Sequence, residues 1–103
     1  MLGNMMDKLQ EMKKKMDEMK SRLDSVSVNG EAGSGDVMVI ANGNRKVTDI
    51  KIKESLLDPS RKEELEELLA VAINRAIEQA NQINEAEMAA SARGLLPGGL
   101  AGF

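Results

Sequence analysis

The residues whose types and spacing most suggest chemistry lie between Gly30 and Val37, where the sequence reads GEAGSGDV. Gly30 and Gly35 have the outer spacing of a Walker A loop, the glycine-rich loop that holds nucleotide phosphates. That loop needs a lysine after its last glycine, and it opens a helix whose N-terminus faces the phosphate. Here Asp36 follows Gly35, and the residues beyond it are typical of a strand. We therefore predict no nucleotide site and a hairpin turn in which Gly33 and Gly35 adopt unusual backbone dihedral angles.

Met12, Met16 and Met19 recur at helical spacing, and their thioethers could bind Cu(I). The chain contains neither cysteine nor histidine to complete such a site. A methionine stripe of this kind is more typical of packing. The acidic and serine residues form no recognisable arrangement of nucleophile, base or metal ligand. We predict no metal, no cofactor, no small-molecule substrate and no enzymatic activity.

The composition indicates a single small domain. The chain has 103 residues, a formal net charge of −3 and one aromatic residue, Phe103. A domain of this size buries only about two-thirds of its unfolded surface, so we expect the core to be completed across a subunit interface. The absence of cysteine excludes a disulfide framework and is compatible with a cytoplasmic location. No run of about 18 apolar residues occurs, so we expect no membrane-spanning segment.

The first part of the chain predicts an amphipathic helix from Leu2 to about Leu23. Its apolar positions are spaced alternately by three and four residues, as in the seam of a coiled coil, with charged residues between them. Because the stripe is narrow, it fits one neighbouring helix better than a broad globular core. We predict helix packing or dimer contacts for the seam residues from Leu9 onward and for two residues of the sheet, Met38 and Ile40. The seam consists of Leu2, Met5, Leu9, Met12, Met16, Met19 and Leu23.

Three strands are predicted between Ser25 and Lys53, where the segments SVSVN, DVMVIAN and KVTDIKIK are rich in β-branched residues. The glycine-rich stretch separates the first two segments, and Asn42-Gly43-Asn44 separates the last two. An Asn-Gly pair is a strong hairpin signal because both residues tolerate positive φ. The middle segment is apolar on both faces. We therefore predict that it is the central strand of an antiparallel meander.

A second long helix is predicted after Asp58-Pro59-Ser60. Asp58 or Ser60 can cap it, and Ser60 with Glu63 fits a capping box. Its apolar stripe is rich in alanine, which suits close packing on the sheet or on another helix. The helix can continue to about Ala92, before Gly94. The prediction is one α+β domain over residues 1–93, in the order helix, three strands, helix, followed by a flexible Gly- and Pro-rich tail over residues 94–103.

Basic residues are the remaining candidates for a binding function. Lys13, Lys14 and Lys15 span most of a helical turn, so at least one of them projects opposite the apolar seam. A symmetric dimer doubles this patch, and two copies at a fixed separation could meet the backbone of one duplex. The opposing interpretation is a solvated face balanced by neighbouring carboxylates, and the residues alone favour it. Other basic residues near this run or on the third strand are Lys8, Lys20, Arg22, Arg45, Lys46, Lys51 and Lys53.

Five segments carry a resemblance over essentially the whole chain. They are the Met- and Lys-rich first helix, VNGEAGSGDVMVIANGN, VTDIKIKESLLDP, ELLAVAINRAIEQA and GLLPGGLAGF. In this order they resemble the YbaB/EbfC family of small bacterial nucleoid-associated proteins. The resemblance implies a homodimer with a central sheet and projecting helices. It also implies binding to double-stranded DNA with limited sequence preference, and a part in nucleoid organisation and gene regulation in the cytoplasm.

The resemblance also implies that the projecting helices contact DNA. Many glutamates on the second helix depart from that expectation, because they repel DNA, so binding is expected to be weak and steeply salt-dependent. By element and charge, the resemblance assigns DNA binding to Lys13, Lys14, Lys15, Lys20, Arg22 and Arg93.

Two other functions stay open. The first is a structural or adaptor dimer that recruits a protein partner through its projecting helices and has no role on DNA. The second is a membrane-surface helix, since apolar residues near the amino terminus lie close to lysines. Interleaved aspartate and glutamate would be repelled by anionic lipid, so we predict no membrane partner.

Overall fold

The computed structural model describes the backbone of residues 2–95 and the side chains of residues 3–92. The order of elements is α1 (Leu2–Asp24), β1 (Ser27–Ala32), β2 (Val37–Asn42), β3 (Val47–Ile52) and α2 (Lys62–Leu95). Two short 3-10 helices, Glu54–Leu56 and Pro59–Arg61, connect β3 to α2. The predicted α+β order of helix, three strands and helix is confirmed.

The three strands form an antiparallel sheet in the order β1-β2-β3, which confirms the meander and the central position of β2. Val37, Val39 and Ala41 of β2 are fully buried beneath α2, whereas Met38 and Ile40 are half-buried on the opposite face. Helix α2 packs mainly on β1 and β2. Strand β3 lies at one edge of the sheet, and because α2 packs mainly on the other two strands, the residues of β3 are almost all exposed.

The glycine-rich stretch forms a hairpin turn that is shorter than the sequence predicts. β1 extends to Ala32, so Gly30 belongs to the strand and the turn occupies residues 33–36. Gly33 has φ +63° and Gly35 has φ +92°, which confirms that both glycines supply unusual dihedral angles. Ser34 between them also has a positive φ of 58°. The turn joins two strands, and no helix follows it, as a phosphate loop would require.

The second hairpin turn uses its glycine differently from the prediction. The residue with positive φ is Arg45, at 66°, and Arg45 N donates to Asn42 O at 3.0 Å. This is a tight turn followed by one left-handed residue, so the hairpin forms as predicted, although Gly43 does not adopt a positive φ. Gly43 is needed for close approach instead. Its N–H donates to Leu23 O at 2.9 Å, and a Cβ atom there would lie 2.8 Å from Leu23 Cδ2.

Small residues bring α2 close to the sheet. Ala72, Ala76 and Ala80 have no exposed surface. Opposite them, a Cβ atom at Gly30 would overlap the backbone O of Ala72 and the backbone N of Ala76. The alanine-rich stripe therefore packs on the sheet, which is one of its two predicted partners. Leu56, from the first 3-10 helix, completes this core at 1% exposure, and no pattern in the sequence indicates that contact.

Asp58 caps the start of the second helical region. Its Oδ1 accepts hydrogen bonds from Ser60 N at 2.9 Å and from Ser60 Oγ at 2.8 Å. These bonds lower the pKa of Asp58 below its ordinary value. Arg61 donates two hydrogen bonds to the Glu64 carboxylate, which lower the pKa of Glu64. The cap thus uses Asp58 in place of the predicted capping box between Ser60 and Glu63.

At its other end, α2 continues to Leu95, past the glycine at which the sequence predicts a stop. Such boundaries commonly differ by one or two residues. Residues 96–103, most of the predicted tail, lie outside the described residues, so the tail stays a prediction.

Helix α1 projects from the sheet, and the molecule including α1 is elongated, with extents of 68, 28 and 18 Å along its three principal axes. Among the seam residues whose side chains are described, from Met5 onward, two are buried, Met19 at 5% and Leu23 at 1% exposure. Both lie near the carboxyl end of α1. The helix is therefore held at its base, and most of its length extends away from the sheet.

Candidate nucleic-acid interface

The turn between β2 and β3 holds the base of α1. Asn44 Nδ2 donates to Lys20 O at 2.9 Å and also to the Asp24 carboxylate. Asn42 Oδ1 accepts from the backbone N–H groups of Asn44 and Lys46, at 2.9 and 3.2 Å, and so fixes the shape of the turn. The bond from Gly43 to Leu23 closes the same junction. These bonds determine the direction in which α1 leaves the sheet.

A basic groove opens beside this junction, between α1, the β2–β3 turn and α2. Its basic lining residues are Lys13, Lys20, Arg45 and Lys46, and we call these four the groove cations. None of the four forms an ion pair within the described part of the chain, although Arg45 donates to the amide oxygen of Asn81 at 3.2 Å. Four cations around an open groove of about 730 Å³ can attract phosphate groups.

The groove is not uniformly basic. Asp17 and Asp24 also line it, and both carry negative charge. Asp24 accepts hydrogen bonds from the amides of Asn42 and Asn44, so its charge is partly engaged in the junction. Asp17 has no such role among the described hydrogen bonds. We therefore expect Asp17 to weaken the attraction between the groove and an anion.

The other predicted DNA-binding residues are distributed over several surfaces. Lys14 lies on the side of α1 opposite the seam, exposed beside Glu18 and Ser21. Lys15 forms an ion pair with Glu11 at 3.8 Å, and Arg22 Nε donates to Glu87 Oε1 at 3.2 Å. The side chain of Arg93 lies outside the described residues. The groove thus brings together Lys13 and Lys20 of the six predicted residues, whereas Lys13, Lys14 and Arg22 line an open depression on another side of α1.

Arg45 and Lys46 are absent from the predicted site. The sequence assigns them only to the third strand and the turn before it. The predicted hairpin could have located both residues, because they belong to the β2–β3 turn and that turn must lie at one end of the sheet. The side of the turn on which α1 lies depends on Gly43 and Leu23, whose contact has no signature in the sequence.

The predicted packing residues also divide into two groups. Met19 and Leu23 are buried within the chain, whereas Leu9, Met12 and Met16 are 63%, 42% and 52% exposed. Met38 and Ile40 are half-buried on the face of the sheet away from α2. Leu9, Met12 and Met16 lie outside the buried core of the described residues, so their role in a dimer stays a prediction.

Neither a cluster of metal-ligating residues nor a membrane-spanning helix occurs among the described residues. Among these residues, no group of three or more carboxylates is close enough to hold a metal ion. In the same part of the chain, no helix combines the length and the apolar character needed to cross a membrane.

Comparison with known proteins gives a consistent result. Residues 1–95 match the model of the YbaB/EbfC DNA-binding family. A nucleoid-associated protein of Bacillus cytotoxicus is 45% identical over 74 residues, which are 71% of this chain and 68% of that protein. One from Bacillus cereus is 40% identical over 75 residues, covering 72% and 69% of the two chains. The crystal structure of an uncharacterized protein from Helicobacter pylori is similar with a TM-score of 0.70 and 27% identity, over 85% of this chain and 88% of that chain.

Proposed function

This chain belongs to the YbaB/EbfC DNA-binding family, and from that premise we propose that it binds double-stranded DNA as a homodimer and acts as a nucleoid-associated protein in the cytoplasm. The family is named for DNA binding and not for a reaction. The observation that carries the proposal within the chain is the set of groove cations, which are free of ion pairs among the described residues. They adjoin a helix that projects from the sheet.

Recognition in this proposal is mainly electrostatic. Lysine and arginine near the phosphates release condensed counterions, which supplies most of the free energy of non-specific binding. The chain has no aromatic residue before Phe103, so it offers no stacking platform for single-stranded bases in the described region. Contacts to the duplex backbone carry little sequence information, which fits a limited sequence preference. Asp17 and the glutamates of α2 keep the affinity modest and the salt dependence steep.

The test is a fluorescence anisotropy titration of duplex DNA at several salt concentrations. We expect the double variant Lys13→Gln/Lys20→Gln to bind more weakly than the wild type. Its plot of log affinity against log salt should be shallower by about 0.9 for each phosphate that the variant no longer neutralises. The matched control is Lys53→Gln/Lys62→Gln, which removes the same charge from exposed ion pairs with Asp36 and Glu66.

The control residues lie near the end of the sheet that is remote from α1, so the control variant should bind nearly as well as the wild type. Equal weakening in both double variants would mean that only net charge matters, and would contradict the assignment to the groove. Absence of binding by the wild type at low salt would favour the adaptor function instead.

The homodimer is supported by apolar surface that one chain leaves uncovered. Val47 and Ile50 of β3 are each 42% exposed, and the outer edge of β3 has no strand partner in the described structure. Unpaired strand edges readily pair with another chain. Met38 and Ile40 on the opposite face are half-buried. We propose that a second copy covers one of these two surfaces.

Light scattering after size-exclusion chromatography tests the dimer with two variants. Ile50→Glu places a charge on the edge strand. Met38→Glu places one on the opposite face, where the cross-strand neighbours are already Glu31 and Lys51. The variant that becomes a monomer identifies the interface. Leu57→Glu is the control, since Leu57 is 62% exposed outside the sheet, and this variant should stay dimeric. A monomeric wild type at micromolar concentration would overturn the proposal.

A further inference from the structure

Helices α1 and α2 run antiparallel where they meet, and two hydrogen bonds and a shared groove show their alignment. Arg22 Nε donates to Glu87 Oε1 at 3.2 Å, and one turn earlier on α1 the sulfur of Met19 accepts from Ser91 Oγ at 3.4 Å. Another turn earlier, Met16 shares an apolar groove of about 350 Å³ with Ala92. Each step toward the amino end of α1 therefore corresponds to a step toward the carboxyl end of α2.

This alignment places the end of α2 beside the middle of α1. The helix ends at Leu95, about 4.5 Å along its axis beyond Ala92 at 1.5 Å per residue. That level corresponds to Met12 on α1. The apolar stripe of α1 continues beyond this level with no partner in the described residues, and its members there are Met5, Met6, Leu9 and Met12, with exposures of 64%, 61%, 63% and 42%. We call these four residues the open stripe.

Residues 96–103 follow α2 at this position, and their sequence is LPGGLAGF. The segment contains no charged residue, and its large side chains are Leu96, Leu100 and Phe103. Eight extended residues can span about 26 Å, whereas the open stripe is only about 10 Å long from Met12 to Met5. We propose that residues 96–103 continue from the end of α2 along α1 and cover the open stripe of the same chain.

The charges beside the stripe favour this occupant over a second copy of α1. At heptad spacing, the positions that flank the seam are basic on both sides, with Met6 as the exception. Two copies of α1 packed seam to seam would place lysines against lysines, and such contacts set partner choice in coiled coils. A neutral segment meets no such repulsion. The flanking residues are Lys13 and Lys20 on one side and Lys8, Lys15 and Arg22 on the other.

Covering the stripe leaves the basic groove accessible, because Lys13 and Lys20 flank the seam and lie outside it. The segment is joined to α2 within reach of the stripe, so its effective concentration there is high. This contact does not depend on DNA binding. The exposed methionines of α1 then have a role within the chain, whereas the groove cations remain free to bind phosphate.

Methionine-methyl NMR tests the proposal because Phe103 is the only aromatic residue of the chain. Any ring-current shift of a methionine methyl group must therefore come from Phe103. We compare the full chain with the full-length variant Phe103→Leu, which keeps an apolar side chain. We expect upfield shifts and contacts to the Phe103 ring for methyl groups of the open stripe in the wild type, and their loss in the variant. Met38 on the sheet serves as the internal reference and should not move.

A mixing experiment shows whether residues 96–103 cover the open stripe of their own chain or that of a partner copy. Methyl-labelled Phe103→Leu protein is mixed and allowed to exchange with unlabelled wild type. If the segment covers its own chain, the labelled open stripe keeps the resonances of the variant. Appearance of the upfield resonances in the mixture would assign the segment to a partner copy and overturn the proposal. Identical spectra of the wild type and Phe103→Leu would overturn it as well, leaving the stripe to a protein partner.

Discussion

Helix α2 lies on the sheet along an alanine-rich side, whereas the contacts of α1 among the described residues lie in its carboxyl-terminal half. Ala72, Ala76 and Ala80 are fully buried, yet Leu9 on α1 is 63% exposed. The charges differ as well, since α2 carries many glutamates and α1 carries lysines at most positions beside its seam. Small side chains allow one helix to become part of the core. The long, flexible side chains of α1 leave most of that helix outside the core.

Substitution of two glycines should distinguish the helices most strongly. Gly30→Ala places a methyl group into the backbone of α2, and we expect it to lower the free energy of unfolding by about 3 kcal/mol. Gly3→Ala is the counterpart on α1, where no atom lies within 4 Å of the added Cβ, and it should not destabilise the protein. Urea denaturation of both variants measures the difference. Similar stabilities would mean that α2 can move away from the sheet without cost.

Leucine truncation along α1 should locate the point at which the helix becomes independent of the core. Leu23 is 1% exposed, so Leu23→Ala should lower the free energy of unfolding by about 2 kcal/mol. Leu9→Ala removes the same atoms from a residue that only the proposed contact with residues 96–103 covers, and its effect should be smaller, about 1 kcal/mol. Thermal and urea denaturation compare the two. An effect of Leu9→Ala as large as that of Leu23→Ala would contradict the view that this part of α1 lies outside the core.

Removal of one negative charge from each helix should separate their roles on DNA. Asp17→Asn removes a carboxylate from the basic groove and should raise DNA affinity about threefold at low salt, a change typical of one exposed charge interaction. Glu67→Gln makes the same change in net charge on an exposed position of α2 and should alter affinity less. Anisotropy titrations provide both values. The groove assignment would be contradicted if Glu67→Gln had the larger effect.

The pH dependence of the cap at the start of α2 should be the smallest effect. Hydrogen bonds from Ser60 lower the pKa of Asp58 below its ordinary value in the folded protein. The resulting stabilisation is complete above that ordinary value and disappears as the pH falls through the lower folded pKa. The thermal midpoint of the wild type should therefore exceed that of Asp58→Asn at neutral pH, and the difference should vanish in strong acid. A difference independent of pH would contradict a charge-dependent cap. Helix α1 has no acidic residue in its first turn and offers no such dependence.

Local patterns predict much of the fold because each acts over a few residues. The apolar residues on both faces of β2 mark the central strand, and the alanines of α2 mark a closely packed surface. Gly30 is assigned to a turn by the sequence because its neighbours resemble a loop motif. Its position in β1 depends on the backbone of α2, which approaches from residues more than forty positions away.

The candidate site is less predictable for the same reason. The lysine run on α1 is visible in the sequence, but only Lys13 of that run lines the groove. Arg45 and Lys46 join it because the β2–β3 turn holds α1 through Asn44 and Gly43. Charge can be counted from the sequence, whereas the distance between charges on different elements depends on how those elements dock.

The sequence by itself determined the order of the elements, the family and the apolar seam of α1, because periodicity and turn residues act locally. Tertiary structure alone decided which part of the seam is buried and which basic residues meet. Those outcomes depend on where backbones can approach, and the approach is set by the missing side chains of Gly30 and Gly43. Gly30 allows α2 to approach the sheet, and Gly43 allows the base of α1 to pack against the β2–β3 turn.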